Sequence, residues 1–222
     1  EDGIIEEIFK RIGVTNKTFI EFGVHGLKNN STFLVVKGWK GLWIGGNQHA
    51  RSLVNVKFRD MMRSGSLQFR QAWITRENVE GIFREAKCPE NFDFLSIDLD
   101  GNDYWIWDAI RTFKPRVVCI EYNAVFPPDV SWIMVYNREH RWDQTSYFGA
   151  SLKALEVLGS EKGYKLVGCD FAGCNAFFVH EGENLALFQE PFTAQYHYEP
   201  PRYFLRRASG HPAGFGPFVH AP

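Results

Sequence analysis

Apolar segments with strand character alternate with amphipathic segments over the first 123 residues of the chain. The predicted strands are residues 18–24, 41–45, 67–74, 92–97 and 115–123. The predicted helices are residues 2–12, a helix capped by Asn29 or Asn30 that ends near Gly38, and residues 48–63, 79–86 and 104–113. This alternation predicts an α/β fold, with a doubly wound parallel sheet and helices on both faces.

The periodicity ends between residues 124 and 149, where prolines, aromatic residues and charges are mixed. We expect a long active-site loop or lid there, because long irregular loops on a rigid scaffold often carry function. An amphipathic helix at residues 150–162 follows. Residues 164–169 and 175–180 then read as two strands joined by the short loop DFAGC, which indicates an antiparallel hairpin at one edge of the sheet.

The last 42 residues, 181–222, are rich in proline and aromatic residues and have no clear period. The chain is therefore expected to comprise an α/β domain over residues 1–180 and an irregular C-terminal extension over residues 181–222. The extension packs either on the domain or on a partner subunit, for example in a homo-oligomer.

Charge and composition narrow the classes of partner. The formal net charge of -1 argues against a broad surface for nucleic acid. No apolar run approaches the roughly 20 residues that span a bilayer, so no membrane partner is expected. Because no signal-like segment opens the sequence, the expected location is cytoplasmic. The four cysteines form no CxxC pair, and reduced thiols are expected in that compartment.

An acidic turn follows the apolar run at residues 92–97. Three carboxylates, Asp98, Asp100 and Asp103, stand where a buried strand surfaces. Ligands of open α/β sheets bind beyond the carboxyl ends of the strands, so these acids are candidates to meet a substrate, a metal or a cofactor. The alternative is that they only turn the chain and cap the next helix, for which Asn102 or Asp103 is suited.

The next predicted strand also ends in an acid and an amide, Glu121 and Asn123. If the two strands are neighbours, Asp98, Asp100, Glu121 and Asn123 meet at one edge of the sheet. Carboxylate and amide oxygens suit a hard divalent cation such as Mg²⁺. In the alternative interpretation, Glu121 and Asn123 bind substrate hydroxyls or cap the loop.

The first predicted strand and its loop, FIEFGVHGLKNN, resemble the nucleotide-binding turn of a Rossmann-like fold. Glu21, Gly23 and Gly26 lie where the backbone would approach a cofactor closely. The GxGxxG spacing is absent, which disfavours a dinucleotide. A turn that merely needs glycine is the alternative.

Several segments in order resemble the FkbM-like branch of the S-adenosylmethionine-dependent methyltransferases. They are EFGVHGLKNNSTFLV, GWKGLWIGGN, ITREN, FDFLSIDLDGNDYWIWDAI, PRVVCIEYN and GASLKALEVLGSEKGYKLVGCDFAGCNAFFV, which together cover most of residues 19–179. The resemblance implies a Rossmann-like seven-stranded sheet whose last strand is antiparallel and inserted beside the sixth. It also implies methyl transfer to a hydroxyl of a small molecule, such as a sugar, a glycan or a natural product.

The resemblance assigns roles to single residues. Glu21, Gly23 and Gly26 match the first cofactor motif, against the methionine part of S-adenosylmethionine, and Asn30 of the same loop is a further candidate to bind the cofactor. Asp98 matches the motif beside the transferring methyl. The metal-dependent O-methyltransferases are similar in gathering substrate oxygens on an ion, as Asp98, Asp100, Glu121 and Asn123 would do here.

The second cofactor motif, at the end of the second predicted strand, differs from the pattern of the family. Such methyltransferases usually end the second strand in an acid that holds both ribose hydroxyls, and GLWIGGN has Gly45 at that place. Asn47 is the candidate replacement, although a neutral hydrogen bond is weaker than a charge-assisted one.

Histidines are candidates for the general base, since their pKa lies near neutrality. His140 in the predicted lid is the preferred one, and His25 lies in the cofactor loop. Trp132, Tyr136 and Trp142 in the irregular loop are candidates to stack on a sugar or aromatic ring, whereas Trp105 and Trp107 read as core.

Two other functions compete with this interpretation. DLDGND resembles the opening motif of haloacid-dehalogenase-like phosphatases, but that family wants a threonine at Asn102 and places the motif near its N-terminus. A catalytically inactive binding or scaffold protein on the methyltransferase fold is the stronger rival, because fold alone does not establish activity and Gly45 removes a ribose contact.

Overall fold

The computed structural model describes residues 1–26, 29–203, 214 and 216–221. The strands within them are β1 (Thr18–Phe22), β2 (Lys40–Gly45), β3 (Leu67–Gln71), β4 (Asn91–Ile97), β5 (Lys114–Glu121), β6 (Trp132–Met134), β7 (Tyr164–Cys169), β8 (Asn175–His180) and β9 (Phe218–His220). The helices are α1 (Asp2–Ile12), α2 (Thr32–Val36), α3 (Gln48–Lys57), α4 (Arg59–Ser64), α5 (Val79–Glu85), α6 (Asp103–Ala109), α7 (Leu152–Glu161) and α8 (Ala194–His197).

Seven strands form one sheet in the order β3-β2-β1-β4-β5-β8-β7. The pairs β1–β2, β1–β4 and β2–β3 are parallel, and β7–β8 is antiparallel. This confirms the predicted α/β class, the doubly wound sheet and the edge hairpin with β8 inserted beside β7. The strand order reverses between β1 and β4, which makes the carboxyl ends of these two strands the topological switch point of the sheet.

The chain divides into two compact units. The first consists of Glu1–Asp98 and Ala109–Val118, and the second of Leu99–Asp108 and Cys119–Pro222. Aromatic side chains fill the core of the first unit, where Phe22 stacks on Phe83 with ring centroids 5.6 Å apart. In the second unit the buried Trp107 packs on Phe178 at 4.9 Å, which confirms Trp107 as a core residue.

A buried carboxylate ties the first unit together at the amino ends of its strands. Asp93 in β4 accepts hydrogen bonds from the backbone N–H groups of Thr15, Asn16 and Lys17. Arg116 pairs with Asp93 at 2.8 Å and donates to the carbonyl of Ile12. The loop that enters β1 is thereby fixed to β4 and β5, at the end of these strands that lies away from the switch point.

Three predicted helices differ from the structure by more than a residue or two at their ends or in their cap. The helix predicted over residues 48–63 is two helices, because Phe58 leaves helical geometry and packs on Trp43 at 4.9 Å. The helix predicted to reach residue 113 ends at Ala109, and the N–H groups of Arg111 and Thr112 bind Glu80 instead. Helix α2 begins after Ser31, so neither Asn29 nor Asn30 is its cap.

Part of the region predicted to be irregular is a strand. β6 pairs with β9 in antiparallel fashion, with Ile133 opposite Val219. A three-residue strand with its partner near the other end of the chain leaves no periodic signal, which explains the wrong prediction for both segments. Residues 204–213, 215 and 222 of the predicted extension lie outside the described residues. None of the four cysteines is in a disulfide, and no described helix combines the length and apolarity of a membrane span.

Candidate active site

Glu21 holds the loop that follows β1. Its buried carboxylate accepts hydrogen bonds from the N–H groups of Asn30 (2.7 Å) and Ser31 (3.0 Å). The Ser31 hydroxyl also donates to Glu21 and accepts from Trp43 Nε1 at 2.7 Å. Burial raises the pKa of Glu21 to about 7, against the effect of these hydrogen bonds. Glu21 therefore stabilises the loop by accepting hydrogen bonds from the backbone of the loop.

Gly23 brings the same loop against the end of β4. Its φ is +75°, and a Cβ placed on it would lie 1.5 Å from the carbonyl oxygen of Asp98. Both the conformation and the contact require glycine. The predicted cofactor residue Gly23 and the predicted catalytic residue Asp98 thus adjoin at the switch point, within the first unit.

Gly26 and Asn30, the two other predicted cofactor residues of this loop, differ in the contacts that they make. A Cβ on Gly26 would meet only Leu53, at an ordinary 3.7 Å, so packing does not require glycine there. Asn30 uses its side-chain amide to bind the Ser96 hydroxyl of β4 at 3.1 Å. Asn30 is a second tie between the β1 loop and β4. The adjoining residues 27–28 lie outside the described part of the chain.

The structure gives a physical reason for glycine at position 45. A Cβ on Gly45 would lie 2.4 Å from the carbonyl oxygen of Val24 and 3.2 Å from Phe69. The N–H of Val24 donates to the carbonyl of Ile44, which holds the two backbones side by side. An acidic side chain at position 45 would require this backbone to move.

Asn47, the predicted ribose ligand, is the N-cap of α3. Its Oδ1 accepts from the N–H of Ala50 at 2.7 Å, and the residue is exposed. The cap directs the carbonyl side of the amide to the helix, so the Nδ2 group is the part of Asn47 that a ligand would meet.

In the second unit, Asp103 closes the acidic turn. Its buried carboxylate accepts from the N–H groups of Leu99 (2.8 Å) and Gly101 (2.9 Å). Burial raises the pKa of Asp103, although these hydrogen bonds oppose the rise. Between the two donors, Asp100 has a left-handed φ of 53°. Asp103 thus has the turn-forming role that the sequence left open for all three acids.

Asp100 and Glu121 come together in the second unit. Each is half-buried, and each offers a carboxylate oxygen within 4.8 Å of the other. Asp98 precedes Asp100 by two residues along the chain. Two carboxylates at this distance repel each other, and hard oxygen ligands of this kind suit Mg²⁺ or a similar cation. The donor chemistry therefore fits a divalent metal.

Asn123, the fourth predicted metal ligand, makes hydrogen bonds to the backbone with its side-chain amide. It is fully buried, and its Nδ2 donates to the carbonyls of Ser146 and Phe148, both at 2.9 Å. Its Oδ1 accepts from the N–H of Val125. The structure thus gives Asn123 the role of anchoring the loop before α7, and we leave it out of the metal site.

His140 lies on the acidic turn. Its Nε2 is 3.2 Å from the carbonyl oxygen of Asp100, and its ring covers Gly101 so closely that a Cβ there would be 2.3 Å from Cδ2. The loop histidine chosen from sequence is therefore adjacent to the acids, whereas His25 is exposed.

The aromatic residues of the loop have internal partners. Trp132 stacks on Phe218 at 5.5 Å with an interplanar angle of 19°. Trp142 donates its indole N–H to the carbonyl of Thr145. The stacked ring of Trp132 belongs to the β6–β9 ribbon, which argues against its use as a sugar platform.

Sequence reasoning missed three polar residues that organise these loops, namely Ser31, Ser96 and Asn137. Ser96 had a usable signal, because it is a polar residue inside a buried apolar strand and therefore needs a partner. Ser31 and Asn137 had none, since a serine or asparagine in a loop usually meets solvent.

Comparison with known proteins gave no match to a family model and none to a curated protein. Solved structures do match. The N-terminal domain of EvdMO1 with SAH bound has a TM-score of 0.50 and 10% identity, covering 81% of this chain and 79% of that one. Magnesium protoporphyrin IX methyltransferase from Synechocystis PCC 6803 with bound SAM has a TM-score of 0.50 and 9% identity, covering 81% and 77%.

A third match is shorter. The O-methyltransferase from Bacillus cereus in complex with SAH has 16% identity and a TM-score of 0.41, and the chain spans about half of that protein, 55%. At these identities the likeness concerns the fold. The chain therefore has the Rossmann-like fold of the S-adenosylmethionine-dependent methyltransferases.

Proposed function

We propose that this protein is an S-adenosylmethionine-dependent O-methyltransferase of FkbM-like type that acts on a hydroxyl of a small molecule. The observation that carries the proposal is the contact of Gly23 with the carbonyl of Asp98 at the switch point. A ligand at this crevice meets backbone on one side and an acid on the other. Neighbours of the same fold hold SAH or SAM.

The first unit supplies residues that suit the cofactor. Gly23 adds no side chain at the switch point, and Glu21 and Ser96 bind residues 30–31 at the end of the loop. A fixed loop stabilises the complex, because less conformational entropy is lost on binding. Asn47 Nδ2 is the group we assign to the ribose in place of the missing acid.

The second unit supplies residues that suit the acceptor. Asp100 and Glu121, both of the second unit, would hold Mg²⁺ or another divalent cation. When bound, the cofactor supplies an electrophilic methyl on a sulfonium, and the cation lowers the pKa of a coordinated hydroxyl.

His140 is the residue to which we assign the hydroxyl proton. With the proton on Nε2, its ring donates to the carbonyl of Asp100, and Nδ1 remains as the basic nitrogen. Nδ1 would then accept the proton of the acceptor hydroxyl as that oxygen takes the methyl that bound S-adenosylmethionine would supply, which would leave S-adenosylhomocysteine. Asp98 orients the acceptor, directly or through the cation.

A scaffold function is the second candidate, and the crowding at Gly45 favours it. The carbonyl of Val24 occupies the space that a ribose-binding acid would need. In that case the fold would be retained without methyl transfer.

The test is formation of S-adenosylhomocysteine from S-adenosylmethionine in the presence of hydroxyl acceptors such as sugars and glycans. We expect acceptor-dependent turnover that Asp98→Asn abolishes while its thermal unfolding stays unchanged. Asp60→Asn, at an exposed acid of α4, is the matched control and should retain turnover. Full turnover in Asp98→Asn contradicts the assignment.

The metal is tested in the same assay by chelation. Addition of EDTA should suppress turnover and Mg²⁺ should restore it, and Asp100→Asn or Glu121→Gln should raise the Mg²⁺ concentration required. Turnover that is indifferent to both chelation and substitution would restrict the acids to direct contact with the acceptor.

A further inference from the structure

Asn102 joins the acidic turn to the segment that carries His140. Its Nδ2 donates to the carbonyl of Asn137 at 2.8 Å, and its Oδ1 accepts from the N–H of the same residue at 3.3 Å. Asn102 is 7% exposed, whereas Asn137 is exposed, so both hydrogen bonds are partly buried. One side chain thus forms a two-bond bridge to the backbone of position 137, as a strand neighbour would.

The turn at residues 137–140 connects Asn137, which Asn102 binds, to the imidazole of His140. The N–H of His140 donates to the carbonyl of Asn137 at 2.9 Å, which is the same carbonyl that Asn102 binds. The ring then returns to the acidic turn and meets the carbonyl of Asp100. Both ends of the 137–140 turn are therefore held by residues of the acidic turn, Asn137 by Asn102 and His140 by Asp100.

Gly101 provides the space for the ring. A Cβ at this position would lie 2.3 Å from His140 Cδ2 and 2.7 Å from its Nε2. Trp105 Nε1 donates to the carbonyl of Met134 at 2.7 Å, which fixes the start of the segment 134–140. Residues 100–105 and 134–140 consequently interlock at three points.

We infer that Asn102 is a positioning residue, which holds the imidazole of His140 against the acidic turn through the backbone of Asn137. The inference rests on the proposed function, since it assigns Asn102 to the placement of the proposed base. Asn102 acts through another residue and need not touch the acceptor. It differs from the capping role that the sequence suggested for this amide.

The experiment measures the position of His140 directly. Diethyl pyrocarbonate modifies accessible imidazoles, and peptide mass spectrometry gives the modification rate of each histidine. In the wild type we expect His140 to react several-fold more slowly than the exposed His49, and in Asn102→Ala to approach the rate of His49. Glu139→Ala, an exposed change in the same turn, is the control and should leave His140 slow.

A second variant guards against a folding defect in Asn102→Ala. Gly101→Ala keeps the bridge but displaces the ring, so His140 should again become fast while far-ultraviolet circular dichroism is unchanged. An unchanged rate at His140 in Asn102→Ala, with Gly101→Ala fast, overturns the role of Asn102.

A paramagnetic probe separates this inference from the proposed function. Mn²⁺ bound by the acids should broaden the imidazole NMR signals of His140 more than those of His49, and Asn102→Ala should remove the difference. Absence of broadening in the wild type counts against the metal, and the modification rates then decide the role of Asn102 by themselves. Broadening that persists in Asn102→Ala overturns it.

Discussion

The backbone of Gly23 lies against the carbonyl oxygen of Asp98, so closely that a Cβ on Gly23 would be 1.5 Å from that oxygen. The two residues directly follow β1 and β4, the adjacent strands at which the order of the sheet reverses. This contact lies at the switch point, to which we assign the cofactor.

Replacement of Gly23 by alanine tests the contact. Gly38→Ala is the matched control, because Gly38 has a similar φ of +78° with nothing within 4 Å of its Cβ position. The control should cost about 1 kcal/mol of unfolding free energy for the left-handed backbone. Gly23→Ala should cost about 1–3 kcal/mol more, since Asp98 or the loop has to move. Urea denaturation measures both, and equal losses would show that the loop relaxes freely.

The ribose end of the crevice gives a second prediction. Gly45→Glu should destabilise the protein without improving affinity for S-adenosylhomocysteine, because its Cβ meets the carbonyl of Val24. Asn47→Asp keeps a capping oxygen for Ala50 and adds a charge, so it should strengthen binding. The dissociation constants come from calorimetry. Tighter binding by Gly45→Glu would mean that the backbone yields easily.

Glu21 should make stability depend on pH. Its pKa is raised from 4.5 to about 7 in the folded state, so between these values the folded protein retains a proton that the unfolded chain has lost. The free energy of unfolding should therefore fall as pH rises from 4.5 to 7, by about 3 kcal/mol at most. Subtracting the profile of Glu21→Gln isolates this contribution, and parallel profiles would contradict it.

The buried pair at the opposite end of the strands should affect stability alone. Asp93→Ala leaves Arg116 without its carboxylate and removes the acceptor for three backbone N–H groups, which should cost about 3–5 kcal/mol. Glu7→Ala, at an exposed pair with Arg11, should lower the free energy of unfolding far less, because solvent screens that pair. Affinity for S-adenosylhomocysteine should be unchanged in both, and a weakened affinity in Asp93→Ala would couple the two ends of the sheet.

The parts of the fold that sequence predicts are those with a local signal. The hairpin of β7 and β8 was predicted with its observed bounds, because two apolar runs flank a short glycine-containing loop. The pairing of β6 with β9 depends on residues far apart in sequence, such as Ile133 and Val219. No window of the sequence contains both, so this pairing was not predictable.

The candidate site also has features that the sequence predicts and features that it does not. Asp100 and Glu121 could be brought together from sequence on the condition that the strands beside them are neighbours, because both acids stand at strand ends. The hydrogen bonds that an asparagine side chain makes depend on which backbone groups lie near it in the folded protein. Asn123 and Asn102 both bind loop carbonyls that no spacing rule indicates. The reason for Gly45 also required coordinates, since the obstructing atom belongs to Val24 on another strand's loop.

Calorimetric titration of the purified protein with S-adenosylhomocysteine and S-adenosylmethionine, each with and without Mg²⁺, tests the central claim most directly. We predict binding in the micromolar range for the wild type and Gly38→Ala, and at least tenfold weaker binding for Gly23→Ala. Absence of binding to the folded wild-type protein under every condition would contradict the claim and favour the scaffold function.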